Sequence, residues 1–188
     1  MKIPIEISAR HVHLSQRDFE KLFGKDKKLT FSRKLSQEEE FASEQKITLI
    51  NFNKKIENVR VIGPFRKDSQ VEISFTDAYN LRLKPLPKIK VSRDISNTTN
   101  ILAKGSNSSI KLPCIIAKRH LHCSINESKR LRLKNKQEVS VKIKGTRGTT
   151  FHNVVVRVDK DYKLSLHLDT DEGNSAGITG KIFGEMIK

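Results

Sequence analysis

A short histidine motif occurs twice in this chain, and this repetition limits the folds that the sequence can adopt. The sequence R-H-V-H at 10–13 recurs as R-H-L-H at 119–122, which is 109 residues later. Six histidines placed at random in a chain of this length would give only about 0.2 H-x-H pairs. Each copy leads to a serine, Ser15 or Ser124, of the type that begins a helix. We therefore predict a duplicated structural unit.

A second match extends the repeat. The sequence N-V-R-V at 58–61 is similar to N-V-V-V at 153–156, with an offset of 95 residues. The same offset places Glu72 opposite His167, and each of these residues is followed five positions later by an acidic residue. The two copies therefore share more than the histidine motif.

The H-x-H pairs are candidate metal ligands. On a strand, residues two apart point to the same face roughly 6.5 to 7 Å from each other, so two imidazoles can converge on one cation. A divalent metal such as zinc accepts imidazole nitrogen and carboxylate oxygen, and a catalytic site keeps one coordination position open. The repeat supplies a third ligand for each pair. The candidate sets are His11, His13 and Glu72 for one metal, and His120, His122 and His167 for the other.

Each of these residues also has a structural interpretation. A single H-x-H pair can be a solvent-facing strand edge or a hydrogen-bonded core pair, but five of the six histidines occupy repeat-equivalent positions and only His152 does not. Glu72 can be an ordinary exposed carboxylate, although apolar neighbours indicate that the opposite strand face is buried. Arg66 lies in a turn, G-P-F-R-K at 63–67, where its planar fork suits a phosphate but a surface arginine is equally expected.

Hydrophobic periodicity indicates a mainly β chain. Alternation of apolar and polar residues predicts half-buried strands at 46–52, 56–63, 70–75, 138–143, 153–158 and 163–168. Short helices are predicted at 16–23 and 125–131, with a turn at 76–81 and a linker at 85–109. Many short strands with few helices favour small barrels.

We expect two small β-barrel domains from the duplicated unit, with short capping helices. The first domain is expected over residues 1–90, and the linker and the second domain over 91–188, with terminal strands that can cross between them. Each domain is large enough to bury a core of its own.

Composition excludes several classes of protein. Hydrophobic residues make up 36% of the chain and charged residues 31%, and no apolar run approaches the length of a membrane span. The start of the chain leads directly into a strand rather than a signal region. Cys114 and Cys123 form no C-x-x-C motif, so a reducing cytoplasm is the expected location. Transmembrane, secreted and collagen-like classes are excluded.

The formal net charge of +16 favours polyanionic partners, including nucleic acid, a phosphorylated cofactor or an acidic membrane. The charge is spread along the chain, as expected of a solvated surface. Aromatic residues amount to only 6%, with no tryptophan, which disfavours a barrel that stacks bases. We expect no nucleic-acid or membrane partner.

Four stretches resemble the PduL-type phosphate acyltransferases, also called phosphate propanoyltransferases or phosphotransacylases. They lie in the family's order at 8–15, 63–74, 117–122 and 166–174, and so cover nearly the whole chain. The resemblance implies two packed β-barrels with a two-zinc site between them, and reversible acyl transfer between coenzyme A and phosphate.

The resemblance also implies roles for individual residues. One zinc ion would bind His11, His13 and Glu72, with a position open for the coenzyme A sulfur, and the other would bind the remaining three histidine ligands. Arg66 matches the phosphate-binding arginine. The positions that match the coenzyme A pocket are Ser8, Arg60, Ile62 and Asn174, with a further basic contact near Arg33 or Lys34. The implied partners are coenzyme A, phosphate and an acyl phosphate, and we expect a homo-oligomer.

Two features depart from the family pattern. The loop at 92–100, S-R-D-I-S-N-T-T-N, replaces a segment that is usually rich in glycine and contains proline, which affects its flexibility. The first strand begins at Ile3, without the amphipathic extension of compartment-associated members, so we expect a free cytoplasmic enzyme. From the ligand types alone, a two-metal hydrolase stays open as an alternative.

Overall fold

The computed structural model describes residues 2–187. The strands are β1 (Lys2–Ser8), β2 (His11–His13), β3 (Phe31–Lys34), β4 (Phe41–Asn51), β5 (Lys54–Gly63), β6 (Gln70–Ile73), β7 (Ile89–Lys90), β8 (Thr99–Lys104), β9 (Ser109–Ala117), β10 (His120–Cys123), β11 (Glu138–Ile143), β12 (Thr149–Val158), β13 (Ser165–Asp169) and β14 (Phe183–Ile187). The helices are α1 (Gln16–Phe23), α2 (Phe75–Asn80), α3 (Ile125–Leu131) and α4 (Thr170–Ser175). Within residues 2–187, every helix is too short or too polar to cross a membrane.

The described chain divides into two compact units. The first unit is defined here as residues 10–117, and the second unit combines residues 2–9 with 118–187. Residues 91–117 therefore lie in the same unit as the first H-x-H motif. The divisions fall just before each motif, between Ala9 and Arg10 and between Ala117 and Lys118.

Each unit contains a closed barrel. In the first unit, among the described residues, six strands pair in the order β4-β5-β2-β6-β9-β8, and β8 closes the ring by pairing with β4. In the second unit, the described strands close in the order β11-β12-β10-β13-β1-β14. The two orders correspond strand by strand, since β2 and β10 carry the H-x-H motifs and β6 and β13 carry the candidate third ligands. The prediction of a mainly β chain with two barrels and short helices is confirmed.

The strand that precedes each motif joins the barrel that carries the other motif. β1 runs parallel to β13, with Glu6 in register with His167. In the equivalent arrangement β9 runs parallel to β6, with Ile115 in register with Glu72. Each barrel therefore contains strands from both copies of the repeated sequence.

Alternation along the strands fills each barrel with apolar side chains. In the first unit Val12, Ile47 and Val71 are fully or almost fully buried, and in the second unit Leu121 and Leu166 are fully buried. The middle residue of each motif strand, Val12 or Leu121, therefore lies in the core. The flanking histidines consequently lie on the other strand face.

The helix predictions at 16–23 and 125–131 are confirmed, and the sequence signals explain them. Ser15 and Ser124 are the N-caps, and their side chains accept hydrogen bonds from the backbone of Asp18 and Glu127. Gly24 ends α1 with a positive φ of 101°, which a residue without a Cβ adopts readily.

The interpretation of 85–109 as a linker is wrong for Thr99–Lys104. This segment is β8, which pairs with both β4 and β9 and closes the first barrel. Ile101 and Ala103 are buried, and Leu102 between them is partly buried. The three successive apolar residues 101–103 do not show the polar and apolar alternation of a half-buried strand, so the sequence pattern gives no strand signal here.

Candidate metal centres

Strands β2 and β6 bring His11, His13 and Glu72 together in the first unit. The two strands are antiparallel neighbours, and their register places His11 directly opposite Glu72. Nε2 of His11 lies 3.7 Å from Oε2 of Glu72, and Nε2 of His13 lies 4.0 Å from Oε1. His13 and Glu72 are buried, and His11 is half-buried. We call this cluster the first centre.

Strands β10 and β13 form the corresponding cluster in the second unit, here called the second centre. Their register places His120 directly opposite His167. The ring centroid of His122 lies 4.6 Å from that of His120 and 4.5 Å from that of His167. The two centres therefore have the same strand geometry but different third ligands, as the repeat predicts.

Both clusters fit a divalent metal by their donor types and spacing. In each cluster, one candidate ligand atom per residue can be chosen so that all three lie within 4.8 Å of one another. Tetrahedral zinc with bonds of about 2.1 Å has ligand atoms roughly 3.4 Å apart, so small side-chain adjustments would complete the coordination. Two imidazoles with a carboxylate, or three imidazoles, are also donor sets that zinc prefers.

A backbone carbonyl fixes the tautomer of His120. Its Nδ1 lies 2.9 Å from the carbonyl oxygen of Lys118, which can only accept a hydrogen bond. Nδ1 therefore carries the proton and donates, and Nε2 presents its lone pair. A hydrogen bond of this kind is typical of metal-binding histidines, because it orients the ring and raises its basicity.

Burial keeps His13 neutral. Desolvation lowers the pKa of His13 well below its usual range, and the neighbouring His11 and Arg66 lower this pKa further. At neutral pH the ring is therefore uncharged, which is the form of imidazole that binds metals.

Ser92 and Gln70 orient the carboxylate of Glu72. The Ser92 hydroxyl donates to Oε1 of Glu72 at 2.6 Å, and the side-chain amide nitrogen of Gln70 donates to the same oxygen at 2.5 Å. The amide of Gln70 is itself oriented, because its oxygen accepts from the backbone N–H of Arg93 at 2.8 Å. Oε1 thus receives two hydrogen bonds, while Oε2 is the oxygen nearer to His11.

Arg66 joins this network. Its Nη1 donates to the Ser92 hydroxyl at 3.1 Å, and its Nη2 lies 3.0 Å from Oε1 of Glu40. The backbone N–H of Arg66 donates to the carbonyl of Leu14, which holds the turn after β5 against the chain that follows the motif. Burial lowers the pKa of Arg66, whereas Glu72 and Glu40 raise it, and the guanidinium stays charged.

The second centre has a carboxylate beside its three imidazoles. Oε2 of Glu6 lies 3.7 Å from Nε2 of His167, and the Ser165 hydroxyl lies 2.7 Å from the same nitrogen. The ring of Tyr162 stacks on His122 with centroids 4.0 Å apart. The negative charge of Glu6 next to the cluster favours a bound cation.

The residues matched to the coenzyme A pocket fall in both units. Ser8 ends β1 in register with Asp169, and Asn174 lies in α4, so both belong to the second unit. Arg60 and Ile62 lie on β5 of the first unit, in register with the two histidines of β2. The Arg60 guanidinium donates to the backbone carbonyl of Ser43 at 2.8 Å. Their part in binding stays a prediction.

Arg33 and Lys34 lie on β3, and both are exposed. This strand pairs with β4 at the edge of the first unit's sheet. An exposed pair of cations at a sheet edge is compatible with a contact to an anionic ligand.

Both thiols are buried. Burial raises the pKa of Cys114 far above its usual value and raises that of Cys123 to about 11. Near neutral pH both groups therefore stay protonated. Neither has the reactivity of a thiolate nucleophile.

Sequence reasoning did not identify several residues of the two networks. Gln70 and Ser165 could have been found, because the 95-residue offset relates them and each lies two positions before a third ligand, on the same strand face. Ser92 and Glu40 contact the network from distant parts of the chain. No local pattern indicates such contacts.

Two comparisons with known proteins, one with a family model and one with individual sequences, agree with each other. The family model of phosphate propanoyltransferases matches residues 4–179. A protein of Alkaliphilus metalliredigens named phosphate propanoyltransferase is 38% identical over 190 residues, which cover 100% of this chain and 89% of that relative. Proteins with the same name from Lachnoclostridium phytofermentans and Thermotoga maritima are 43% and 40% identical, over 94% and 93% of this chain and 83% of each relative.

The Ser92 network yields a prediction about stability. Replacing Ser92 with alanine removes one donor to Glu72 and the acceptor for Arg66 in a buried environment. We expect Ser92→Ala to lower the free energy of unfolding of the metal-free protein by about 1–3 kcal/mol. Urea denaturation measures this change, with Ser106→Ala, at an exposed turn position, as the control. Equal effects of both variants would contradict the network.

Proposed function

Since this chain belongs to the phosphate propanoyltransferase family, we propose that it transfers an acyl group reversibly between coenzyme A and phosphate at two metal centres. The chain is a phosphate acyltransferase by family. The main support for two metal centres is that each unit brings three potential metal-binding side chains together on paired strands, close enough for one ion. Zinc is the proposed metal, from the imidazole and carboxylate donors.

The reaction joins the sulfur of coenzyme A to the carbonyl carbon of an acyl phosphate. The new C–S bond replaces the bond between that carbon and the phosphate oxygen, the phosphate leaves with the electron pair, and the thiol proton passes to solvent. When bound, divalent metals supply positive charge that favours ionisation of the thiol and neutralises the phosphate. The reverse reaction uses the same contacts.

Arg66 is proposed to hold the phosphate. Its planar fork can donate two parallel hydrogen bonds to phosphate oxygens. In this structure the fork contacts the carboxylate of Glu40 and the hydroxyl of Ser92, and an incoming phosphate would take the place of Glu40. The Ser92 link to Glu72 then keeps the guanidinium oriented toward the first centre.

The acyl group is proposed to pass directly between the two substrates. A covalent acyl-enzyme would require a reactive side chain, and the raised pKa values of Cys114 and Cys123 disfavour both thiols. Ser8, Arg60, Ile62 and Asn174 are proposed contacts of coenzyme A. The positive charge of the chain, +16 at neutral pH, would attract this polyanionic substrate.

Two free, buried cysteines are compatible with a cytoplasmic location, which is part of the proposal. Assembly into a homo-oligomer stays a prediction. An assay of acetyl phosphate and propanoyl phosphate, with and without coenzyme A, tests the activity. Acyl transfer requires coenzyme A, whereas consumption of the acyl phosphate by water alone would indicate the two-metal hydrolase.

We expect about two divalent metal ions per chain. Replacing His11 and His13 together with alanine should remove one ion, and replacing His120 and His122 should remove the other, because each pair supplies two of three ligands. Elemental analysis of protein purified without chelator measures the content.

The matched control is His152→Ala, because this exposed histidine bonds to Ser140 and lies outside both clusters. It should retain both metals. Absence of metal from the unmodified protein would contradict the proposal, as would loss of metal from the control variant.

Arg66→Lys should keep both metals but lose most of its turnover. An ammonium group cannot reproduce the two-pronged contact with phosphate, so we expect a loss of about 2–4 kcal/mol in transition-state stabilisation. Steady-state kinetics measure kcat/KM for the acyl phosphate. The control, Arg17→Lys on the exposed side of α1, should be unaffected. Near-normal turnover of Arg66→Lys would show that Arg66 does not bind the phosphate.

A further inference from the structure

An arginine directly before each H-x-H motif makes an ion pair with a helix-capping carboxylate. In the first unit Nε of Arg10 donates to Oδ1 of Asp77 at 2.9 Å, and Nη2 lies 2.7 Å from the same oxygen. The Asp77 side chain is only 2% exposed, so its charge is largely removed from water. A buried carboxylate of this kind requires a charged partner.

Asp77 also belongs to the first turn of α2, the helix that follows the strand of Glu72. Its other oxygen, Oδ2, accepts from the backbone N–H of Ser74, and the Ser74 hydroxyl accepts from the backbone N–H of Asp77. This reciprocal arrangement is a capping box. One carboxylate thus connects the start of β2 with the end of β6.

The second unit repeats the arrangement with a different carboxylate. Nε of Arg119 lies 2.9 Å from Oε1 of Glu172. Oε2 of Glu172 accepts from the backbone N–H of Asp169, in the capping box of α4, which follows the strand of His167. In both units, therefore, one carboxylate oxygen contacts the arginine and the other contacts the helix cap.

The short strand pairing explains why such a link would matter. Among the described residues, β2 and β6 pair at only three positions, from His11–Glu72 to His13–Gln70, and β10 and β13 also pair at three. A slip by one residue would turn the motif histidines to the opposite face, and a slip by two would move them by about 7 Å. A link at the end of so short a strand pairing would resist both slips in register.

We infer that Arg10 and Arg119 are positioning residues, each of which holds the metal ligands of its own unit in register through the capping carboxylate. This inference rests on the proposed function, because it requires that both centres bind metal. The two arginines act through Asp77 and Glu172, on the backbone of the strands that carry the candidate ligands.

The protonation state of Glu172 sets the conditions of the test. Burial raises the pKa of Glu172 to about 7, and the nearby carboxylate of Asp169 raises it while Arg119 lowers it. At pH 8, above this pKa, the carboxylate is mainly ionised, so that the ion pair with Arg119 predominates.

The test measures cadmium binding at pH 8 by ¹¹³Cd NMR and competition titration. In the unmodified protein the two centres should give separate signals, because their donor sets differ, and the histidine-pair variants assign each signal. Arg10→Gln should shift the first-centre signal and weaken cadmium binding there by roughly 10- to 100-fold, with the second centre unchanged. Arg119→Gln should do the reverse, so that each variant carries its own control.

A purely structural role predicts a different outcome. Equal effects on both centres, or lower thermal stability with unchanged affinities and signals, would overturn the inference. If Arg10→Gln fails to fold, Arg10→Lys keeps the charge but loses the planar fork and should show the same centre-specific change to a smaller degree; failure of both to fold would also overturn it. Absence of cadmium binding by the unmodified protein would instead contradict the proposed function.

Discussion

Antiparallel pairing between a short histidine strand and the strand of a candidate third ligand is the constraint on which both candidate centres depend. In the first unit this pairing sets His11 opposite Glu72, and in the second it sets His120 opposite His167. Since the middle residues, Val12 and Leu121, enter the barrel cores, the histidines must share the other face. The strands that carry the candidate ligands are short, and the closed barrels hold them in place.

Polar contacts around the first centre refine this arrangement. Glu72 is buried, and such a carboxylate requires hydrogen bonds that replace its water. Ser92 and Gln70 supply them at Oε1, and Ser92 extends the network to Arg66. The Ser92 hydroxyl thus orients both Glu72, the proposed metal ligand, and Arg66, the proposed phosphate-binding residue.

The sequence predicts the barrels and the ligand clusters, but not the contacts that support them. The H-x-H repeat and the 95-residue offset indicate that Glu72 and His167 lie beside the motif histidines, because duplication places equivalent residues in equivalent positions. Periodicity and serine caps located both motif helices. Local patterns of this kind depend only on neighbouring residues.

Other features depend on residues that are far apart in sequence. The segment at 99–104 lacks a regular alternation of polar and apolar residues, yet its pairing with β4 and β9 makes it a barrel strand. Ser92 lies 20 positions from Glu72, and Arg10 lies 67 positions from Asp77. The sequence does not indicate which of these distant residues contact each other, whereas the fold does.

Binding of coenzyme A and desulfo-coenzyme A to the zinc-loaded protein distinguishes a sulfur held by metal from a site that binds only the nucleotide. The two compounds differ only in the sulfur, so any difference in affinity isolates the proposed interaction of the sulfur with a metal at the first centre. We expect desulfo-coenzyme A to bind at least about tenfold more weakly in titration calorimetry, a difference of roughly 1.4 kcal/mol, and we expect Glu72→Gln to reduce this difference. Equal affinities of the unmodified protein for the two compounds would contradict a role for this metal in holding the sulfur.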